Sequence, residues 1–240
     1  MRALLGLALA SILACGCSYE TLDLSARHAD VVAMAPGATG EGFGDSNRAV
    51  NGVRGGGRNE GSFDVYSLDS TERTHLVLAW HGALLRDGPG IDFVVFENAF
   101  EIADSGQNFM DPIVVSVSHD GVTFVDMPHA YLAPDLSRYS SDPAHWQGFA
   151  GRTPVLLHEE ENPVDPFDPN AAGGDGFDLA SLPESEEGQR IRRDGVRFVR
   201  LTSAAIVINP ETGERYPRDP VANGADIDGV YARWLEADPG

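Results

Sequence analysis

Three short motifs carry the residues best suited to chemistry: Glu97-Asn98 after an apolar run, Asp175 and Asp178 around Gly176, and Asp226 with Asp228 near the C-terminus. Calcium takes roughly six to eight hard oxygen ligands from carboxylates, amide carbonyls and main chain. These six side chains supply that donor type. In an extended strand, residues two apart share a face, so Asp226 and Asp228 are expected on one side. If that side is core, the acids need neutralising, because an unpaired buried carboxylate is costly. Bound Ca2+ is one answer. The other is that these acids cap turns and accept backbone hydrogen bonds, as Asp and Asn do in loops. The run from Asp168 to Gly173 imitates the start of an EF-hand loop, but Leu179 stands where the acidic twelfth residue belongs, so that motif is rejected.

A second kind of chemistry is sugar recognition, which uses aromatic rings beside polar groups. Tyr139, Trp146 and Phe149 are the candidates, with Tyr131 just before them; the competing reading is that Trp146 pins its loop to the domain. Trp80 and Trp234 fall in strand-like runs and read as core. Catalytic signatures are sparse. The seven His are scattered without metal-ligand spacing, and no G-x-S-x-G elbow or Lys is present. Carboxylates are numerous enough to leave a glycosidase as the third reading, with Glu97, behind the apolar Phe93 to Phe96, as the acid to test first. A net charge of −20 argues against nucleic acid as a partner, since a phosphate backbone needs a basic stripe.

The elements that must position these residues are strands. Apolar, β-branched runs recur at 74–80, 91–96, 113–118, 122–127, 195–202, 204–208 and 227–235, separated by Gly, Pro and Asp. Asp120-Gly121 is a hairpin signal, since that pair tolerates positive φ. No long stretch has helical periodicity. The expected fold is all-β, a jelly-roll-like β-sandwich over 42–240, with a long irregular Pro/Asp/Gly-rich insertion at 134–176. The Gly-rich stretch ending at Ser62 lacks the Lys-Ser/Thr ending of a phosphate loop and reads as a turn-rich loop.

The N-terminus reads as an export signal. Arg2 precedes an apolar run at 3–14 that is short of the roughly 20 residues needed to span a bilayer. Ile12-Leu13-Ala14-Cys15 has the form of a bacterial lipobox, making Cys15 the lipidation site and Cys17 the alternative. Residues 1–14 are then a signal peptide and 15–41 a lipidated tether. Both Cys lie in this leader, so the folded part relies on its core rather than on disulfides. Gly16 and Ser18 follow the two Cys; neither is the Asp associated with inner-membrane retention, which points to the outer membrane, on its periplasmic face or at the cell surface.

In order, GSFDVYSLD, DGPGIDFVVFENAF, VVSVSHDGVTF, NAAGGDGFDLASL, VRFVRLT and ADIDGVYARW resemble the motifs of a family of bacterial cell-surface proteins, often lipoproteins, without an assigned activity. The likeness spans 61–234. It departs at 225–230, where the two alternate acids are kept but the family's Phe is not. The last strand is also similar to that of galactose-binding-like carbohydrate modules, which implies a nearby structural calcium. Together these imply a non-catalytic surface binding module for glycans or an envelope partner, with scaffolding in an envelope complex as the alternative.

Overall fold

The computed structural model describes residues 23–35, 37, 42–70, 75–103, 105–222 and 224–240. The signal peptide, Cys15 and Cys17 lie outside them. In chain order the strands are β1 (Val31–Met34), β2 (Tyr66–Ser67), β3 (Leu76–Ala79), β4 (Ala83–Leu85), β5 (Phe93–Glu97), β6 (Phe100–Glu101), β7 (Asn108–Phe109) and β8 (Ile113–Ser118). They continue with β9 (Val125–Asp126), β10 (Ala130–Tyr131), β11 (Trp146–Gln147), β12 (Asp175–Phe177), β13 (Phe198–Ser203), β14 (Asp226–Ala232) and β15 (Leu235–Ala237). Two helices, α1 (Pro169–Ala172) and α2 (Glu186–Asp194), lie between β11 and β13.

The strands form a β-sandwich. One sheet has the order β1-β3-β13-β8-β9 and the other β12-β5-β14-β2, with antiparallel pairing throughout. Their facing sides share one core, to which Leu76, Leu78, Val115, Val117, Val199 and Leu201 contribute from the first sheet. Phe93, Val95, Phe177, Ile227 and Val230 contribute from the second. β1 belongs to this sandwich, so the stretch expected as tether joins the domain from residue 23 onward: Val31 and Val32 pair with Ala79 and Leu78.

The 134–176 insertion is ordered, and it covers the outer faces of both sheets. Its first half folds over the five-stranded sheet, where Tyr131, Trp146, Phe149 and Tyr216 cluster beside Val114. Its second half lays Val155, Leu157, Phe167 and Ala172 over Val94, Phe96 and Tyr231 of the other sheet. β5 and β8 are therefore buried on both sides, which is why they read as continuous apolar runs rather than alternating ones. The GGD motif closes this cover. A Cβ on Gly173 would sit 1.8 Å from the Pro154 carbonyl oxygen, and one on Gly174 2.6 Å from the Phe96 ring, both at positive φ.

Three expectations about elements change. The Asp120-Gly121 hairpin exists, but β8 and β9 are joined by a longer loop, because the Asp120 side chain accepts the N–H groups of Val122 and Thr123 and shapes it. Residues 204–208, read as strand, begin with a 3-10 turn at Ala204–Ile206. α2 was not expected. Ser185 caps it through Gly188 N–H, Glu186 and Glu187 occupy its first turn, and Arg192 and Arg193 its last, each favourable to the helix dipole.

Candidate functional site

The six acid and amide candidates do not converge on one point; they divide among three places. The first is the end of β5. By alternation Glu97 continues the core-facing side of Phe93 and Val95, and it is 4% exposed. Its Oε1 accepts the Asp226 N–H at 3.1 Å, whereas its Oε2 is buried without a hydrogen-bond partner. Burial drives its carboxyl well above the ordinary range, reinforced by the charges of Asp111, Asp226 and Asp175. Asp111 is raised for the same reason, by burial and then by Asp226 and Asp219. Asp111 carried no sequence motif and was not among the candidates.

Asp226 is half-buried. Its carboxylate accepts the Ser67 hydroxyl, and burial raises its pKa against the lowering effect of Ser67 and Asn98. Asn98 holds the neighbouring loop: its Oδ1 accepts Ser62 N–H, and its Nδ2 donates to Ser62 O at 3.0 Å. Asp175 borders this group and is paired, with burial raising its pKa against the lowering effect of Arg152 and Thr153. The Arg152 guanidinium lies 3.1 Å away, and Arg152 N–H and the Thr153 hydroxyl donate to it at 3.0 and 2.8 Å.

Asp228 is separate. A bulge between Ile227 and Gly229 interrupts the pairing of β14 with β5, and Asp228 stands in it. Asp228 is 0% exposed and accepts Arg54 N–H with both oxygens, at 2.9 and 3.1 Å. Burial pushes its pKa up to about 8.

Asp178 falls in the third place, with Asp87 and Asp92, where one donor oxygen of each lies within 4.8 Å of the others. Two of these acids serve the backbone. Asp92 accepts from Gly88 N–H at 2.8 Å and Leu179 N–H at 2.7 Å, and Asp178 caps Ala180 N–H at 2.8 Å. Burial raises Asp92 to about 6. The turn-capping reading made from sequence describes this cluster.

The aromatic candidates fall in one cluster and are turned inward. Trp146 and Phe149 are both 0% exposed, and Trp146 donates its indole N–H to Ser140 O at 2.8 Å. Its ring lies 4.0 Å from that of Tyr131 and 5.2 Å from that of Phe149, centre to centre. Tyr139 packs against the same cluster and donates its hydroxyl to Met110 O at 2.7 Å. These rings pin the insertion, and Trp146 and Phe149 present no face to a sugar. Of the two Trp read as core, Trp80 is buried and Trp234 is 39% exposed.

An open aromatic surface occurs instead beside Asp226. A hollow of about 550 Å³ is lined by Phe43, Asn59, Glu60, Phe63, Phe100 and Asp226, with Asn98 and the 61–62 backbone completing it. Phe63 is 82% exposed. Phe100 is braced from behind by stacking on Phe109, at 5.1 Å between ring centres. The two-way clamp between Asn98 and Ser62 fixes the loop that presents Phe63. A Cβ on Gly61 would meet the Asn98 amide at 2.8 Å, so the GS pair before Phe63 is set by this close approach. The signal was present in GSFDVY and FENAF, but an isolated Phe in a turn-rich loop does not announce that it is exposed.

Among the described residues no helix is long and apolar enough to cross a membrane. No protein-family model matches the chain, and no curated protein matches it either.

Proposed function

We propose that this protein is an exported lipoprotein, anchored to the outer membrane through Cys15 or, alternatively, Cys17, whose sandwich acts as a non-catalytic glycan-binding module. The resemblance to bacterial surface lipoproteins supports the anchor. We read the sandwich as jelly-roll-like, after the carbohydrate modules that its last strand resembles. The observation that carries the ligand class is the hollow beside Asp226. Phe63, Phe43 and Phe100 offer apolar ring surface of the kind on which the C–H face of a pyranose stacks, and Asn59, Glu60 and Asp226 offer polar groups for its hydroxyls. Glu97, the acid singled out for catalysis, is buried and does not line this hollow, so it has no route to a glycosidic bond held there.

Phe63→Ala tests the reading without disturbing the core, because the ring is almost wholly in solvent. Calorimetric titration with a bound oligosaccharide should show affinity reduced about tenfold, the equivalent of about 1.4 kcal/mol. Val122→Ala, at another exposed apolar residue, should leave affinity unchanged. Equal affinity in wild type and Phe63→Ala would move the ligand elsewhere.

A further inference from the structure

The hollow beside Asp226 has a neighbour. A second hollow of about 560 Å³ lies against it, and the two share Glu60, Gly61, Ser62 and Phe63. The exposed Phe63 ring therefore stands at the boundary of two depressions. The second differs in character, because its lining is mostly charged: Arg48, Arg54, Glu60, Asp64, His158 and Glu161. These groups hold one another in place. The Arg48 guanidinium donates to Phe63 O at 2.6 Å and lies 3.5 Å from one oxygen of Asp64. The other Asp64 oxygen is 3.1 Å from Arg54 and accepts the Asn51 side-chain amide at 2.9 Å. Arg54 also reaches Glu160, at 3.2 Å, and its own N–H is anchored on the buried Asp228. Part of the wall is glycine backbone in close contact. A Cβ on Gly55 would lie 2.4 Å from the Val155 side chain, and one on Gly56 2.6 Å from Glu60 O.

Resting on the reading of the first hollow as a sugar site, we propose that the two hollows are adjacent subsites for an uncharged oligosaccharide, whose chain crosses Phe63 from one to the other. Each has the size of a small-molecule site, roughly 300–1,000 Å³. Their chemistry is complementary. The first offers ring surface for the face of a pyranose, and the second offers donors and acceptors side by side for its hydroxyls. Guanidinium N–H groups donate there, and carboxylates accept. His158 adds a donor, because its Nδ1 accepts the N–H groups of Glu160 and Glu161, at 3.3 and 3.1 Å, which leaves the ring proton on Nε2. Charge sets the class of sugar. Glu60, Asp64 and Glu161 outnumber Arg48 and Arg54 in the lining, and both arginines already have acidic partners. An acidic sugar would meet net negative charge here, whereas a neutral one would not be repelled.

Calorimetric titration of the purified protein with neutral gluco-, manno- and galacto-oligosaccharides, each from the monosaccharide to the hexasaccharide, tests the proposal. Galacturonic acid oligomers serve as the acidic comparison. In the series that binds, affinity should rise about tenfold between monosaccharide and trisaccharide, and the galacturonic series should bind more weakly. That gain with length should disappear in Arg54→Ala, which trims a part-exposed side chain and keeps the N–H that Asp228 accepts. Should this variant fail to fold, Glu161→Ala, at an exposed residue, reads out the same loss. Affinity independent of length in wild type would overturn the proposal and leave a hollow for a single sugar at Phe63. A gain that survives intact in these variants, or tighter binding of galacturonic acid oligomers than of neutral ones, would overturn it as well. Failure of every oligosaccharide to bind would remove the sugar reading itself, and the proposal with it.

Discussion

Asp228→Asn should change how the stability of this protein depends on pH. Asp228 is wholly buried, and burial holds its carboxyl at about 8, with the charges of Asp64 and Glu159 adding to the rise and Arg54 opposing it. In the unfolded chain the same group returns to the ordinary value of 3.8. Between these values the folded protein keeps a proton that the unfolded chain releases. Stability from this group is therefore full below the unfolded value and is lost as pH rises toward 8. Each unit of difference corresponds to about 1.4 kcal/mol. Asn does not titrate, and its side-chain oxygen can still accept the Arg54 N–H. The stability of Asp228→Asn relative to wild type should consequently increase by about 2.7 kcal/mol between about pH 5 and about pH 7. Every other acid is common to both proteins and cancels in the difference. Urea unfolding of both at intervals across that range measures it. A gap that stays constant with pH would refute the assignment of a raised pKa to Asp228.

Two further outcomes follow from the packing and the leader. Trp146→Ala should cost about 3 to 5 kcal/mol in denaturant unfolding, because it opens a cavity among Tyr131, Phe149 and Tyr216 and leaves Ser140 O without its donor; a loss below about 1 kcal/mol would show that the insertion is not held by this ring. Cys15→Ser should abolish palmitate incorporation in cells, with undiminished label transferring the site to Cys17 and an unlabelled wild type removing the lipid anchor.

The sandwich was legible because its strands announce themselves. The VVSVS and DFVVF runs are apolar and β-branched, and they are bounded by turn residues. The site was legible only in part, since spacing along a strand predicts side but not the partners the fold brings there. Asp226 and Asp228 flank core-facing Ile227, yet one meets the Ser67 hydroxyl and the other, at a bulge, the Arg54 N–H. Asp111 was invisible because it sits in a plain Met-Asp-Pro stretch and gains its neighbours only through the fold. The aromatic island at 145–149 admits two readings from sequence, an exposed sugar platform or a pin for the insertion, because its segment is rich in Pro, Asp and Gly. Polar composition describes the loop's outer side, whereas Trp146 and Phe149 face inward onto the sheet. α2 escapes a reading by periodicity although Ser185, the acidic first turn and Gly195 mark its ends. Its nine residues are too short for helical periodicity to stand out.

The glycan-binding reading is tested most directly by a glycan array probed with the purified protein, followed by analysis of the retained oligosaccharides for cleavage. The expected result is retention of a defined set of glycans, all recovered intact, with the signal greatly reduced for Phe63→Ala. Absence of retention across the array, or release of shortened products, would contradict it.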